Sequence, residues 1–221
     1  MKILIGFVSL LSLWGQAAPG SNDRYKTAEG RAGMAAALDG EHRDTRQKPK
    51  QLIAAMKIGP GMTVVDIGTG VGYMLPFVSE AVGKSGRVIA EDIFPDFLAK
   101  AKAKAEALGN VSFVLGTEKD VKLAEGVADL VFILDAYHHF DFPAEMMASI
   151  RKGLKPGGQL AVVDYYKRPG AMAGTDPNFA LNHIRLDEAG VVEQIESFGF
   201  RAFRREEFLP KSQYLLVFAK K

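Results

Sequence analysis

The sequence predicts an α/β protein built on one doubly wound, mostly parallel sheet of seven strands. Three observations carry this. Short apolar runs rich in β-branched residues alternate with helical patterns from residue 63 onward. The first of them, Val64-Val65-Asp66-Ile67, feeds directly into Gly68-Thr69-Gly70-Val71-Gly72, a strand-turn-helix opening of the kind that starts such a sheet. The last two runs are joined only by Leu209 to Ser212. Strands joined so tightly pair antiparallel, so the final strand runs against the others.

Residues 1–17 read as a secretory signal peptide: Lys2, an apolar stretch from Ile3 to Trp14, then Gly15-Gln16-Ala17 as a small-x-small cleavage site. Cleavage after Ala17 is favoured because cleavage after Ala18 would leave Pro19 just beyond the scissile bond. The stretch falls short of the roughly 20 apolar residues of a spanning helix. The expectation is therefore an exported, periplasmic chain with no stable membrane insertion once the leader is removed, an uncleaved anchor being the lesser alternative. With no cysteine in the sequence, neither a disulfide nor lipid attachment through cysteine is available.

Residues 18–45 are expected to form an amino-terminal helical extension or lid, with a helix over 25–38 and a charged loop over 40–46. The α/β domain is placed at 46–221. A helix over 50–58 stops at Gly59-Pro60-Gly61. Strands are then expected at 63–67, 87–92, 111–115, 128–134, 158–164, 200–208 and 213–219, with helices at 73–82, 95–108, 143–153 and 187–198. The length of 221 residues suits this single α/β domain, and 28 basic against 26 acidic residues give no field suited to nucleic acid or an anionic membrane. Arg201 to Arg205 are followed at once by Glu206 and Glu207, which reads as a solvated face. Nothing in the sequence specifies an oligomeric state.

The glycine turn carries most of the functional information. Its spacing is G-x-G-x-G, with Tyr73 where a dinucleotide fingerprint needs its third glycine. Asp66 places a carboxylate where a pyrophosphate would have to sit, so a phosphate-free cationic ligand suits the turn better. On the residues alone, Asp66 capping the turn and glycines merely packing strand on helix remain open. Asp92 ends the second strand, where a carboxylate can accept hydrogen bonds from two ribose hydroxyls, with Glu91 as its substitute.

Taken in order, the glycine turn, Ala90-Glu91-Asp92-Ile93-Phe94-Pro95-Asp96, Ala128 to Asp135 and Leu154-Lys155-Pro156-Gly157-Gly158-Gln159-Leu160 resemble the class I S-adenosylmethionine-dependent methyltransferases, over about Arg46 to Lys221. The Asp135-Ala136-Tyr137-His138-His139-Phe140 and Phe208 to Tyr214 segments resemble an exported bacterial branch. The resemblance implies a Rossmann-like methyltransferase fold and S-adenosylmethionine as cofactor. It implies cofactor contacts at Asp66, Gly68, Gly70, Gly72, Asp92, Ile93 and Asp135. Where the family usually holds the adenine amino group with an acid, this chain has Thr117, followed by Glu118; Glu118 is the candidate, ahead of Asp120.

Catalytic groups are expected beyond strand four, as His138 and His139, with Tyr137 packing on the cofactor or meeting substrate and His183 closing the site from above. Histidine is the natural proton acceptor near neutral pH, although a histidine that only holds its loop is the competing reading. Arg185 either grips an anionic substrate group or pairs with an acid such as Asp164. Arg43, Asp44 and Arg46 read as a solvated loop before a lid role. A metal set of His138, His139 and Asp141 is set aside because adjacent histidines rarely point at one ion. No NPPY-like segment follows strand four, which argues against amide or adenine acceptors and leaves a small molecule. An exported, non-enzymatic binding protein for a nucleoside or S-adenosyl ligand is the alternative, since export leaves the supply of a cytoplasmic cofactor open.

Overall fold

The computed structural model describes residues 17–40, 42–172 and 176–221. The leader read from residues 1–17 lies outside the described residues except for Ala17. A short amino-terminal part holds α1 (Ala28–Leu38), α2 (Arg43–Gln47) and α3 (Pro49–Ala55). The rest alternates: β1 (Thr63–Ile67), α4 (Leu75–Val82), β2 (Arg87–Asp92), α5 (Pro95–Lys104), β3 (Val111–Leu115), β4 (Ala128–Leu134), α6 (Pro143–Gly153), β5 (Leu154–Tyr165), α7 (Phe179–His183), α8 (Glu188–Ser197), β6 (Phe200–Leu209) and β7 (Gln213–Lys220).

One seven-stranded sheet has the order β3-β2-β1-β4-β5-β7-β6. Strands β1 to β5 pair in parallel, and β7 inserts antiparallel between β5 and β6. The expected fold class, with its reversed final strand, is the observed one. Apolar residues run continuously along β1 and β4 because both sheet faces are covered. On one face Val65, Ile67, Val131 and Ile133 pack with Met147 and Ile150 of α6 and Ile195 of α8; on the other Val64, Leu130 and Phe132 pack with Leu52 of α3 and Leu75 and Val78 of α4. Each such fully buried side chain contributes on the order of 1.5–3 kcal/mol.

The chain order reverses between β1 and β4, which is where a doubly wound sheet opens a crevice at its strand ends. The amino-terminal part lies over that crevice. Ala35 of α1 packs with Val71 and Phe97, and Tyr25 and Leu38 join them. Among the described residues, no helix is long and apolar enough to cross a membrane.

Several boundaries differ from those expected. The charged segment read as a loop over 40–46 forms α2, closed by Lys48 in the left-handed region at φ 49°. The helix at 95–108 ends at Lys104. Strand β5 begins at Leu154, ahead of its Pro-Gly-Gly turn, and pairs with Ala128 across a register shift. The short helix α7 had no periodic signal.

Candidate active site

The glycine turn leaves β1 with all three glycines at positive φ, 70° for Gly68, 57° for Gly70 and 78° for Gly72. The last is a packing residue: a β-carbon there would stand 2.9 Å from Leu75 Cδ1 and 3.0 Å from Ala101. At Gly70 it would meet Leu38 of α1 at 3.3 Å, so the amino-terminal helix rests directly on the turn. Asp92 holds the turn from β2. Its Oδ2 accepts the Gly70 N–H at 2.8 Å and its Oδ1 accepts the Phe94 N–H at 2.9 Å. Asp66 accepts the Thr69 hydroxyl at 2.8 Å.

Above the strand ends lies a cavity of about 350 Å³. Gly68, Gly70, Asp92, Ile93, Glu118 and Asp135 line it, as expected from the sequence. Asp66, Gly72 and Thr117 do not reach its lining: Asp66 is turned to Thr69, Gly72 faces α5, and Thr117 closes an exposed turn by accepting the Asp120 N–H at 3.0 Å.

The opposite wall comes from the amino-terminal part, through Tyr25, Arg31, Leu38 and Arg43. Tyr25 stacks on Phe94 at 5.8 Å and meets the His139 ring edge-on at 5.1 Å. Arg31 pairs with Asp96 at 2.7 Å, across the cavity's rim. The Arg43 guanidinium lies 4.0 Å from the centre of the Tyr73 ring, whose hydroxyl donates to Asp44 at 2.8 Å. The solvated-loop reading of Arg43 and Asp44 is thereby corrected. Tyr73, placed where a third fingerprint glycine would stand, is the residue on which α2 docks.

Glu91, Asp92 and Asp135 line the cavity, and Asp66 is buried beside them on β1. Burial pushes Asp66 up to about 7, with Asp92 adding to the effect and the Thr69 hydroxyl and Arg43 opposing it. Burial likewise raises Asp92 to about 6, against the backbone N–H groups of Phe94, Gly70 and Ile93. Asp135 rises to about 7 through burial and the neighbouring Asp164, with Arg43 opposing. Glu91 lies well above the usual range, through burial and then Asp92, and its Oε1 has no hydrogen-bond partner. Asp135 also sits at φ 54°, a strained backbone for a side chain, held by the Gln213 amide at 2.6 Å, which in turn bonds Gln47 of α2. Such a set of carboxylates disfavours an anion and favours a cation.

Beyond β4 the three expected histidines do come together. Ring centres stand 4.0 Å apart for His138 and His139, 5.0 Å for His138 and His183, and 5.2 Å for His139 and His183. His138 is buried, with Nδ1 2.7 Å from Asp164 Oδ1. Burial works against its charged form, but the Asp164 carboxylate more than offsets that and raises its pKa. His139 lines the cavity, and burial beside His138 and His183 lowers it well below the ordinary value. His183 falls to about 4, through burial and His138.

Tyr137 is elsewhere. Its ring is buried in the core on the α8 side and its hydroxyl donates to Gln194 at 2.7 Å, so the expected contact with cofactor or substrate is corrected. Arg185 also donates to Gln194, at 2.8 Å, and is not part of the cavity lining.

Residues 65–162 match the family model described as a methyltransferase domain. A solved S-adenosylmethionine-dependent methyltransferase from Aquifex aeolicus superposes with a TM-score of 0.76 at 26% identity, covering 84% of this chain and 96% of that one. Residues 65–162 are thus a methyltransferase-type domain, and the chain shares its fold with that S-adenosylmethionine-dependent enzyme. Similar curated relatives include the ubiquinone/menaquinone biosynthesis C-methyltransferase UbiE of Shewanella sp. (strain ANA-3), 29% identical over 49% of this chain and 44% of that protein. The demethylmenaquinone methyltransferase of Lactococcus lactis is 32% identical over 47% of this chain and 42% of its own length. The chain thus spans less than half the length of these curated relatives. The cavity lies at the β1/β4 crevice, where doubly wound sheets bind their ligands. Its acids fit a ligand that carries a sulfonium and an ammonium and no phosphate.

Proposed function

We propose that this methyltransferase moves the methyl group of S-adenosylmethionine to a small-molecule acceptor. The observation that carries the reading is the walled cavity itself, lined by Glu91, Asp92 and Asp135 and covered by Tyr25, Leu38 and Arg43. A cavity walled on both sides suits a small acceptor better than a nucleic acid. The acids support a cationic ligand, and Glu91, one of the lining residues, keeps a buried oxygen without a hydrogen-bond partner. The cofactor supplies a methyl group on positively charged sulfur.

What the chain contributes is alignment, dryness and proton handling. Asp92 has lone pairs beyond those used by Gly70 and Phe94, so it can accept ribose hydroxyls without releasing the turn. Glu118 and Glu91 line the same cavity and can accept hydrogen bonds from an adenine amino group. Tyr25, Phe94 and Phe97 give apolar, aromatic walls that exclude water and orient a flat group. At the cavity edge His139 is neutral, so its lone pair can take a proton from an acceptor.

Calorimetry with S-adenosylmethionine, S-adenosylhomocysteine and NAD tests the cofactor; binding of the first two and not the third is expected, and the reverse would sink the proposal. Acceptor panels should begin with small phenols and quinols, because the similar curated relatives are named for quinone biosynthesis. Turnover with none of these would move the reading towards a binding protein. We also propose export: sequencing the chain recovered from a periplasmic fraction should find Ala18 first, and full-length chain confined to the cytoplasm would overturn that.

A further inference from the structure

The three histidines beyond β4 form more than a stack of rings. One ring nitrogen from each lies within 4.8 Å of those of the other two. His138 Nδ1 faces Asp164 Oδ1 at 2.7 Å, and the other oxygen of that carboxylate accepts the His138 backbone N–H at 3.1 Å. His139 Nδ1 faces the amide oxygen of Asn22 at 2.7 Å. Neither of those oxygens can donate, so each Nδ1 must carry the hydrogen, and in the neutral ring each Nε2 keeps its lone pair. His183 completes the set, stacked on Phe179 at 4.7 Å.

Histidines that coordinate a metal nearly always donate their other ring N–H to a carboxylate or carbonyl, which fixes tautomer and ring direction. Two of the three here carry that device, from different parts of the chain: Asp164 ends β5 and Asn22 belongs to the amino-terminal cover. The expectation that adjacent histidines diverge fails because the 3-10 turn at Tyr137–His139 brings their rings to 4.0 Å. Asp141, the third ligand considered from sequence, is engaged elsewhere by the Asn22 amide at 3.1 Å, and His183 takes its place.

We propose that His138, His139 and His183 bind one divalent transition-metal ion of the kind that prefers imidazole, zinc foremost, with a fourth position open towards the cavity that His139 lines. Three histidines with one open position is the catalytic rather than the structural zinc pattern. Bonds of about 2.0–2.1 Å require the nitrogens to close by an ångström or so, a side-chain movement. The fourth ligand would be water or an acceptor oxygen. An acceptor hydroxyl held there would give its proton to solvent instead of to His139, and its oxygen lone pair would form the new C–O bond as the methyl C–S bond breaks and S-adenosylhomocysteine leaves with that electron pair.

The test uses the full chain stripped with a chelator, without S-adenosylmethionine, so that it succeeds or fails independently of the methyl-transfer reading. Dialysis against zinc should leave one ion per chain, and cobalt should give the intense visible absorption of a four-coordinate site. His183→Ala, at the partly exposed edge, should weaken retention at least a hundredfold with circular dichroism and melting temperature preserved. Asp164→Asn should weaken it about 10–100-fold, as loss of an orienting partner does. Failure of the wild-type chain to retain zinc, or retention unchanged in both His183→Ala and His139→Ala, would overturn the proposal.

Discussion

Asp92 Oδ2 accepts the Gly70 N–H at 2.8 Å, so the acid that ends β2 also shapes the glycine turn that ends β1. One carboxylate thereby has two duties, to the backbone and to the ligand. Asp92→Ala is expected to lower S-adenosylmethionine affinity at least tenfold, about 1.4 kcal/mol. It should also leave the Gly70 and Phe94 N–H groups unpaired, costing about 1–3 kcal/mol of stability each if they stay buried. Asp92→Asn keeps an oxygen for one of them and should lose affinity with a smaller drop in melting temperature. Calorimetry and thermal melting on both variants separate the two duties; unchanged affinity in both would remove Asp92 from the ribose.

The pH dependence of binding follows from the same acids. Asp66, near 7, faces Thr69 on its own turn, Asp92 from β2 and Arg43 from α2; Asp92, near 6, faces the N–H groups of Gly70, Ile93 and Phe94 and Asp96 from α5. Both acids hold protons in the free protein below those values, and a bound cation favours their ionised forms. Binding therefore releases protons, and S-adenosylmethionine affinity should rise from pH 5 to pH 8 before levelling off. S-adenosylhomocysteine, whose sulfur is neutral, should show a shallower rise. Calorimetry in buffers of different ionisation enthalpy counts the protons released.

Stability should move the other way. A carboxyl group whose folded pKa lies above its unfolded value of about 3.9 favours the fold most at low pH. That contribution is lost as pH rises through the folded pKa, here between about 4 and 7. Asp66 and Asp92 together are expected to cost a few kcal/mol across this window. The melting temperature of the free protein should fall from pH 5 to pH 8, and saturating S-adenosylmethionine should flatten the curve.

The sheet was legible because its strands are continuous β-branched runs with glycine punctuation, and the Asp66 to Gly72 turn announces its own chemistry. Half of the cavity carries no such signal. Tyr25 ends a 3-10 turn, Leu38 an alanine-rich helix, and Arg43 starts a charged segment, and only tertiary contact with Val71, Tyr73 and Phe94 turns them into a wall. Helix α2 has five residues, too few to show a period, and α7 is equally short. Tyr137 shows the converse. Its place beside His138 and His139 suggested chemistry, yet the pitch of a 3-10 turn sends its side chain into the core.

Arg43 ties that wall to the electrostatics, since it opposes the raised pKa of both Asp66 and Asp135. Arg43→Ala should shift the midpoint of the pH-dependent binding upward. It should also loosen the amino-terminal part, by removing the contact with the Tyr73 ring and the hydrogen bond to the Leu38 carbonyl. Hydrogen exchange over residues 18–47 is expected to quicken, and S-adenosylmethionine to dissociate faster, with the exchange of β4 and β5 unaffected. Equal protection in variant and wild type would show that the cover is held without Arg43.

Tyr137→Phe probes the corrected role. Its hydroxyl bond to Gln194 is worth about 0.5–1.5 kcal/mol net, and Gln194 keeps its bond from Arg185. A drop of a few degrees in melting temperature with methyl transfer within twofold of wild type is expected. A large fall in kcat at unchanged stability would return Tyr137 to the reaction.

Glu91 offers the sharpest contrast between fold and function. It is 1% exposed, one oxygen has no partner, and Gly116 lies so close that a β-carbon there would overlap the carboxylate. Such an acid, beside Asp66 and Asp92, is expensive to keep charged, and the Gly68 backbone N–H offsets only part of that cost. Glutamine has nearly the same shape without the charge. Glu91→Gln should therefore raise the melting temperature at pH 8, where the acid is hardest to accommodate, and do little at pH 5. If the unpaired oxygen is there to receive a donor from the ligand, the same variant should bind S-adenosylmethionine several-fold more weakly. A gain in stability with unchanged affinity would leave Glu91 as a cost without a ligand role, and would pass the adenine contact to Glu118 alone.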